Sequence, residues 1–316
     1  MPSGIKNAAE FLHRSLPGNP PVEFVPFRDM LYGLYEVFSA EGERYDKPPK
    51  TGGLGHGASL ATAAPFLEYV IGVLINFGYM GELGEDALTV ADEGALRQCV
   101  GAQRGFLRKR LSTPKLAECL DFLERFGFAF NRFKGGIAAE YPKRPDALYG
   151  MRELARAHME LGGKSDYYIF HKCEFRVLFP EPPSVKELLD DFLRNMPKEA
   201  REYAVLLHEM YLSKGFKCKV KTHFLGRFFE YSRGGKPVFE FASLPDAGDL
   251  MFIKVKNIEE PELSGFPEEM RARLKRGYGC EKKRFGEPCA KGCHGYAFPM
   301  DKGIGGLDEW LKNLIK

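Results

Sequence analysis

Between Gly277 and Asp301 the chain reads GYGCEKKRFGEPCAKGCHGYAFPMD, with three cysteines, an adjoining histidine and a run of cations. Thiolates are soft ligands for zinc, and they become nucleophiles where neighbouring positive charge lowers their pKa. Cys280, Cys289 and Cys293 are spaced C-x8-C-x3-C, unlike the paired C-x2-C of a zinc knuckle. Three thiolates in a loop punctuated by Gly and Pro still supply most of a tetrahedral set, with His294 or Cys218 as the fourth ligand. Consecutive side chains reach one ion awkwardly, so Cys218 is favoured over His294 beside Cys293. A reactive thiol is the second chemistry, since Lys282, Lys283, Arg284 and Lys291 would stabilise a thiolate. An unliganded surface loop is the third. The sequence admits all three.

Positive charge is concentrated in the same region. Arg271 to Lys302 holds nine Lys and Arg against three Asp and Glu, whereas the whole chain is only +3, so the remainder is acidic. A mild overall charge marks no nucleic-acid binder, and the case must rest on where the charge lies. Two further basic groups stand out. Lys217, Lys219 and Lys221 alternate along one apparent strand, and Lys254 and Lys256 along another. If those strands adjoin, they form an anion-binding face on which Phe228, Phe229 and Tyr231 are near enough to stack on bases. Lysines are equally expected on the solvent face of a half-buried sheet. Arg104, Arg108, Lys109, Arg110 and Lys115 form a second cluster, with no acidic residue among them.

Composition sets the frame for these groups. With 316 residues, 44% hydrophobic and 28% charged, two soluble domains with real cores are expected. The N-terminus lacks an apolar h-region, and the odd cysteine count suits reduced thiols, so the expected compartment is the cytoplasm. Pro65 to Met80 is the most apolar run, too short for a membrane span, and reads as a buried helix.

Helical spacing of apolar residues predicts a helix over Phe27–Phe38. Gly53, Gly55 and Gly57 lie in a breaker-rich stretch before a helix expected from about Ser59. A phosphate cradle there would need a preceding strand and a Lys-Ser/Thr pair, neither of which is present. A degenerate repeat follows, in which LINFGY and LERFGF align at an offset of 49 residues. Each half reads as a helix, an aromatic-Gly-aromatic stop with a left-handed glycine, and a hairpin. That order is winged-helix-like, and the second hairpin is expected to turn within Asn131 to Gly136. A helix-and-wing surface on nucleic acid is one reading. The other is a scaffold, supported by Glu68, Glu118, Asp121 and Glu124 on the would-be recognition helices.

Tyr167 to Phe179 alternates like a strand, which puts His171 and Cys173 among five apolar residues as packed core groups. PEPPS then marks a linker, giving domains 1–180 and 181–316. Ser184-x-x-Glu187 is a capping box. Pro197 opens the next helix, which Gly215 closes, and His208 and Glu209 are read as surface positions on it. Strands are expected over 217–224, 227–231, 236–241 and 249–257, with a hairpin turn at Gly234-Gly235. Helices over 267–277 and 307–316 flank a last strand at Gly295–Pro299. The fold class is α+β, a mainly helical winged-helix-like domain followed by an antiparallel-sheet domain with a Cys-containing loop.

From Ser184 onward, the order of elements, the strands KVKTHF, VFEFASL and LMFIKVKN, and the helix PEEMRARLKRGYG resemble the small α+β domains of the MmcQ/YjbR and YdhG-like kind. The two-domain pattern also resembles uncharacterised proteins of Firmicutes. The resemblance implies a frataxin-like arrangement and a suspected DNA partner, and it carries no catalytic residue. No H-E-x-x-H, G-x-S-x-G or strand-borne G-x-G-x-x-G occurs. The expectation is a cytosolic, non-enzymatic protein that binds nucleic acid or another anionic ligand and has no membrane partner. The rival is a zinc- or thiolate-dependent enzyme or sensor centred on Cys280, Cys289 and Cys293.

Overall fold

The computed structural model describes residues 4–45, 65–102, 116–161, 169–181, 183–223, 226–243, 251–256 and 295–299. The chain divides into two compact units, Met1–Pro182 and Pro183–Lys316. The fold is α+β, with helices and small antiparallel sheets.

In the first unit, α1 (Gly4–Ser15) packs on α2 (Val25–Tyr45), and α6 (Ala147–Leu161) packs on both α2 and α3 (Pro65–Met80). The α2 helix is longer than the apolar spacing at 27–38 suggests. Its inner face, Phe27, Leu31, Leu34, Tyr35 and Phe38, is fully buried. As its composition requires, α3 is buried almost all round. Next come β1 (Glu82–Leu83), β2 (Ala87–Val90), α4 (Glu93–Ala102) and α5 (Leu116–Phe126), then β3 (Ala129–Phe133) and β4 (Gly136–Glu140).

The repeat is visible in strand register. Within the first hairpin Glu82 faces Thr89 and Leu83 faces Leu88. Adding 49 gives Asn131 opposite Ala138 and Arg132 opposite Ile137, the pairs found in the second hairpin. The two hairpins join antiparallel in the order β1-β2-β4-β3, and the equivalent positions Thr89 and Ala138 face each other at the join. They therefore do not project as separate wings but share one sheet about a local two-fold.

The two aromatic-Gly-aromatic sites differ physically. Gly127 is left-handed (φ 124°) and ends α5, its N–H and that of Phe128 both donating to the Leu123 carbonyl. Gly78, expected to do the same, lies inside α3. A Cβ there would come within 2.6 Å of the Ala155 Cβ and 2.7 Å of the Met151 carbonyl oxygen, so this glycine serves close helix packing instead.

The alternating stretch before the linker is not a strand. Residues 169–173 form tight turns, and a 3-10 helix spans Phe175–Leu178. Cys173 takes a left-handed φ of 49°, rare for a side-chain-bearing residue, which breaks the extended geometry that alternation implies. His171 and Cys173 are nonetheless buried.

In the second unit, α7 (Val185–Leu193) begins at the Ser184/Glu187 capping box, with both reciprocal bonds formed. Pro197 stands at the N-cap position of α8 (Lys198–Ser213) without a side-chain capping bond, and Gly215 (φ 79°) follows its end. A five-stranded antiparallel sheet runs β5 (Lys217–His223), β6 (Gly226–Arg233), β7 (Lys236–Ser243), β8 (Met251–Lys256) and β9 (Gly295–Pro299) in sequential order. Gly234 and Gly235 are both left-handed, as a two-residue hairpin turn with the twist of its strands requires. The core lies between α7 and α8 and one sheet face, where Leu189, Leu193, Leu207 and Tyr211 meet Phe229, Tyr231, Phe239 and Phe241.

Candidate functional site

Strand alternation puts Lys217, Lys219 and Lys221 at positions facing away from the α7/α8 core. Following register across the sheet, one row runs Lys219, Glu230, Glu240, Lys254, Ala297. The next runs Lys221, Phe228, Ala242, Phe252, Pro299. Lys256, two residues beyond Lys254, shares its face. All five sheet lysines thus belong to one face, on edge strand β5 and on β8.

That face is not uniformly basic. Its two central strands contribute Glu230 and Glu240, directly opposed and only 8% and 6% exposed. Carboxylates buried side by side need positive charge nearby, and the row supplies a lysine position on each flank. Lys217 and Lys219 are exposed. The aromatic assignment also changes. Phe229 and Tyr231 belong to the opposite face and are fully buried in the core, so they cannot stack on a ligand. Phe228 shares the lysine face by register, and so does Phe252, whose parity with Lys254 was readable in the sequence.

Cys218 lies on the core side, cross-strand from Tyr231. Burial pushes its thiol up to about 11, although the hydrogen bond from Tyr231 lowers it. Metal ligation would require this sulfur to give up both its proton and that environment. His208, expected at the surface, is buried instead. Its Nδ1 lies 2.7 Å from the Tyr231 hydroxyl, and burial lowers its pKa. Cys218, Tyr231 and His208 thus form a polar string inside an aromatic core, bordered by Tyr211, whose buried hydroxyl finds no hydrogen-bond partner among the described residues. The sequence gives no sign of this string, because its members come from three elements.

The first unit holds another buried polar group. His171, 1% exposed, places Nε2 3.2 Å from the Glu68 carboxylate on α3, and its carbonyl accepts a 2.6 Å bond from the Tyr35 hydroxyl on α2. Burial, and then the proximity of Cys173 and Glu68, push the Tyr35 hydroxyl pKa well up. His158 on α6 lies beside His171, ring centroids 6.2 Å apart, and burial followed by the His171 charge pulls its pKa down to about 4. Cys173 is pushed up to about 12 by burial, which keeps it a thiol. These groups fasten the 169–173 turn to three helices.

The exposed face of α5 carries Glu118, Asp121, Glu124 and Arg125, and α3 has almost no exposed face, so neither helix suits a phosphate backbone. Cys280, Cys289, Cys293, His294, Arg104, Arg108, Lys109, Arg110, Lys115 and the glycines at 53, 55 and 57 lie outside the described residues. Among the described residues, no group of three or more His, Cys, Asp or Glu could hold a metal ion. No described helix is long and apolar enough to cross a membrane. Comparison with known proteins finds no match, whether among family models, curated proteins or solved structures.

Proposed function

We propose that this chain is a nucleic-acid-binding protein that contacts phosphates through the lysine face of its second unit. The supporting observation is the strand register, which gathers Lys217, Lys219, Lys221, Lys254 and Lys256 on the sheet face away from the helices. Phe228 and Phe252 hold register positions in one row of that face, and aromatic residues interleaved with lysines are the pattern that suits single strands. The buried Glu230 and Glu240 divide the cations into two tracks, one along β5 and one along β8. Lysines on an edge strand also prevent edge-to-edge pairing, and salt dependence separates the two roles.

The test is fluorescence anisotropy of a labelled single-stranded oligonucleotide titrated with the full chain at several salt concentrations. Binding at about 50 mM salt should weaken with a log–log slope of about −2 or steeper, each phosphate contact contributing about −0.7. Lys217→Glu with Lys219→Glu should flatten that slope by about 1.4. No binding at low salt, a slope near zero, or a double variant that binds like the parent would each reject the proposal.

A further inference from the structure

The first unit carries a feature that the lysine face does not absorb. At the tip of the β3–β4 hairpin, Arg132, Phe133 and Lys134 are all exposed, and Phe133 remains 48% accessible. This ring has a fixed seat. It lies over Gly136, where any Cβ would strike the ring and approach the Val90 carbonyl oxygen to 2.6 Å. Gly135 makes the turn with a left-handed φ of 83°. Arg132 Nε is held 3.3 Å from the Glu93 carboxylate, which anchors the base of the tip to α4. The tip therefore presents a half-exposed ring with Lys134 next to it in sequence, while Arg132 is paired with Glu93.

The repeat supplies an internal control. At the offset of 49, Phe133 corresponds to Gly84, Lys134 to Glu85 and Gly135 to Asp86. The same hairpin register thus occurs with an acidic tip and no aromatic. Neither the turn nor the pairing requires a phenyl ring at this position or a lysine after it, and solvent exposure of that ring is unfavourable on its own. A base has a π-face to stack on the ring and a phosphate to meet the flanking charge.

The geometry points to the Arg132-Phe133-Lys134 tip as a stacking contact for one base of a single-stranded nucleic acid, with Lys134 on the adjacent phosphate. This rests on the nucleic-acid reading above but uses a different unit of the chain. In the anisotropy assay with the full-length protein, Phe133→Ala should weaken binding by about 5- to 100-fold with the salt slope unchanged. Phe133→Trp should restore it. Lys134→Glu should flatten the slope by about 0.7. Since Phe133 is solvent-exposed, its removal should leave the thermal midpoint close to that of the parent, which a melt verifies. Parental affinity in Phe133→Ala, or a Trp variant as weak as the Ala variant, overturns the contact. If those results accompany lost binding in the Lys217→Glu/Lys219→Glu variant, the lysine face stands and the tip falls. If Phe133→Ala is weak while the double lysine variant is unaffected, the tip stands and the lysine face falls. An oligonucleotide that binds no version of the protein removes both.

Discussion

His158 shows how burial turns a single side chain into a pH-dependent element. Its pKa, about 4 in the folded unit against an ordinary 6.5, is depressed chiefly by burial. The unfolded chain therefore takes up the proton first. The stability held by a neutral His158 is complete above about pH 6.5 and is lost as pH falls towards 4, by up to about 1.4 kcal/mol per pH unit. Relative to His158→Gln, the parent should lose about 2–3 kcal/mol across that window, measured as urea midpoints at each pH, because other titrating groups cancel in the difference. In the second unit, Tyr231→Phe removes the hydroxyl that serves both His208 and Cys218. Its expected cost is about 1–3 kcal/mol by chemical denaturation, because buried polar groups lose their partner.

At the level of elements, two glycines that look alike in sequence are constrained for different physical reasons. Gly78→Ala improves helix propensity by about 1 kcal/mol. The added methyl meets Ala155 and the Met151 backbone, so net destabilisation of about 1–3 kcal/mol is expected by calorimetry or denaturant. At Gly127 the three atoms nearest an added Cβ belong to the Lys143 side chain, and φ is positive. Gly127→Asn and Gly127→Val should therefore both destabilise, measured by denaturant midpoint, because a φ of 124° lies beyond the left-handed well near +60° that Asn tolerates. Ser184→Ala should cost about 1 kcal/mol through the lost cap. The contrast also explains what was legible. Local rules found the capping box, the Gly215 stop, the Gly234-Gly235 turn and the β3–β4 hairpin, because each is decided by adjacent residues, whereas they did not foresee the joining of the two hairpins. They failed at Gly78, at 169–179 and at His208, where partners from other elements decide. The lysine face was legible as alternation, but the carboxylates between its two tracks, and the side taken by Phe229 and Tyr231, depend on cross-strand register.

For the whole molecule, a net charge of only +3 means that any attraction for a polyanion is local. Glu230 and Glu240 lie in the same row as Lys219 and Lys254, so they offset part of the positive potential of that face. Glu240→Gln should consequently tighten oligonucleotide binding at low salt, by about 3- to 10-fold, with the gain shrinking as salt rises. Anisotropy at two ionic strengths checks it, and unchanged affinity at both would place the binding charge elsewhere.

The join between β2 and β4 sets Thr89 against Ala138, its own counterpart one module later. Contacts of that kind can be made just as well by hairpins belonging to two separate polypeptides. Within one chain, the packing of α4 and α5 on α3 and the connection itself hold the second hairpin at a high effective concentration beside the first. Lengthening or stiffening that connection would thus change who pairs with whom without altering a single bond in the sheet.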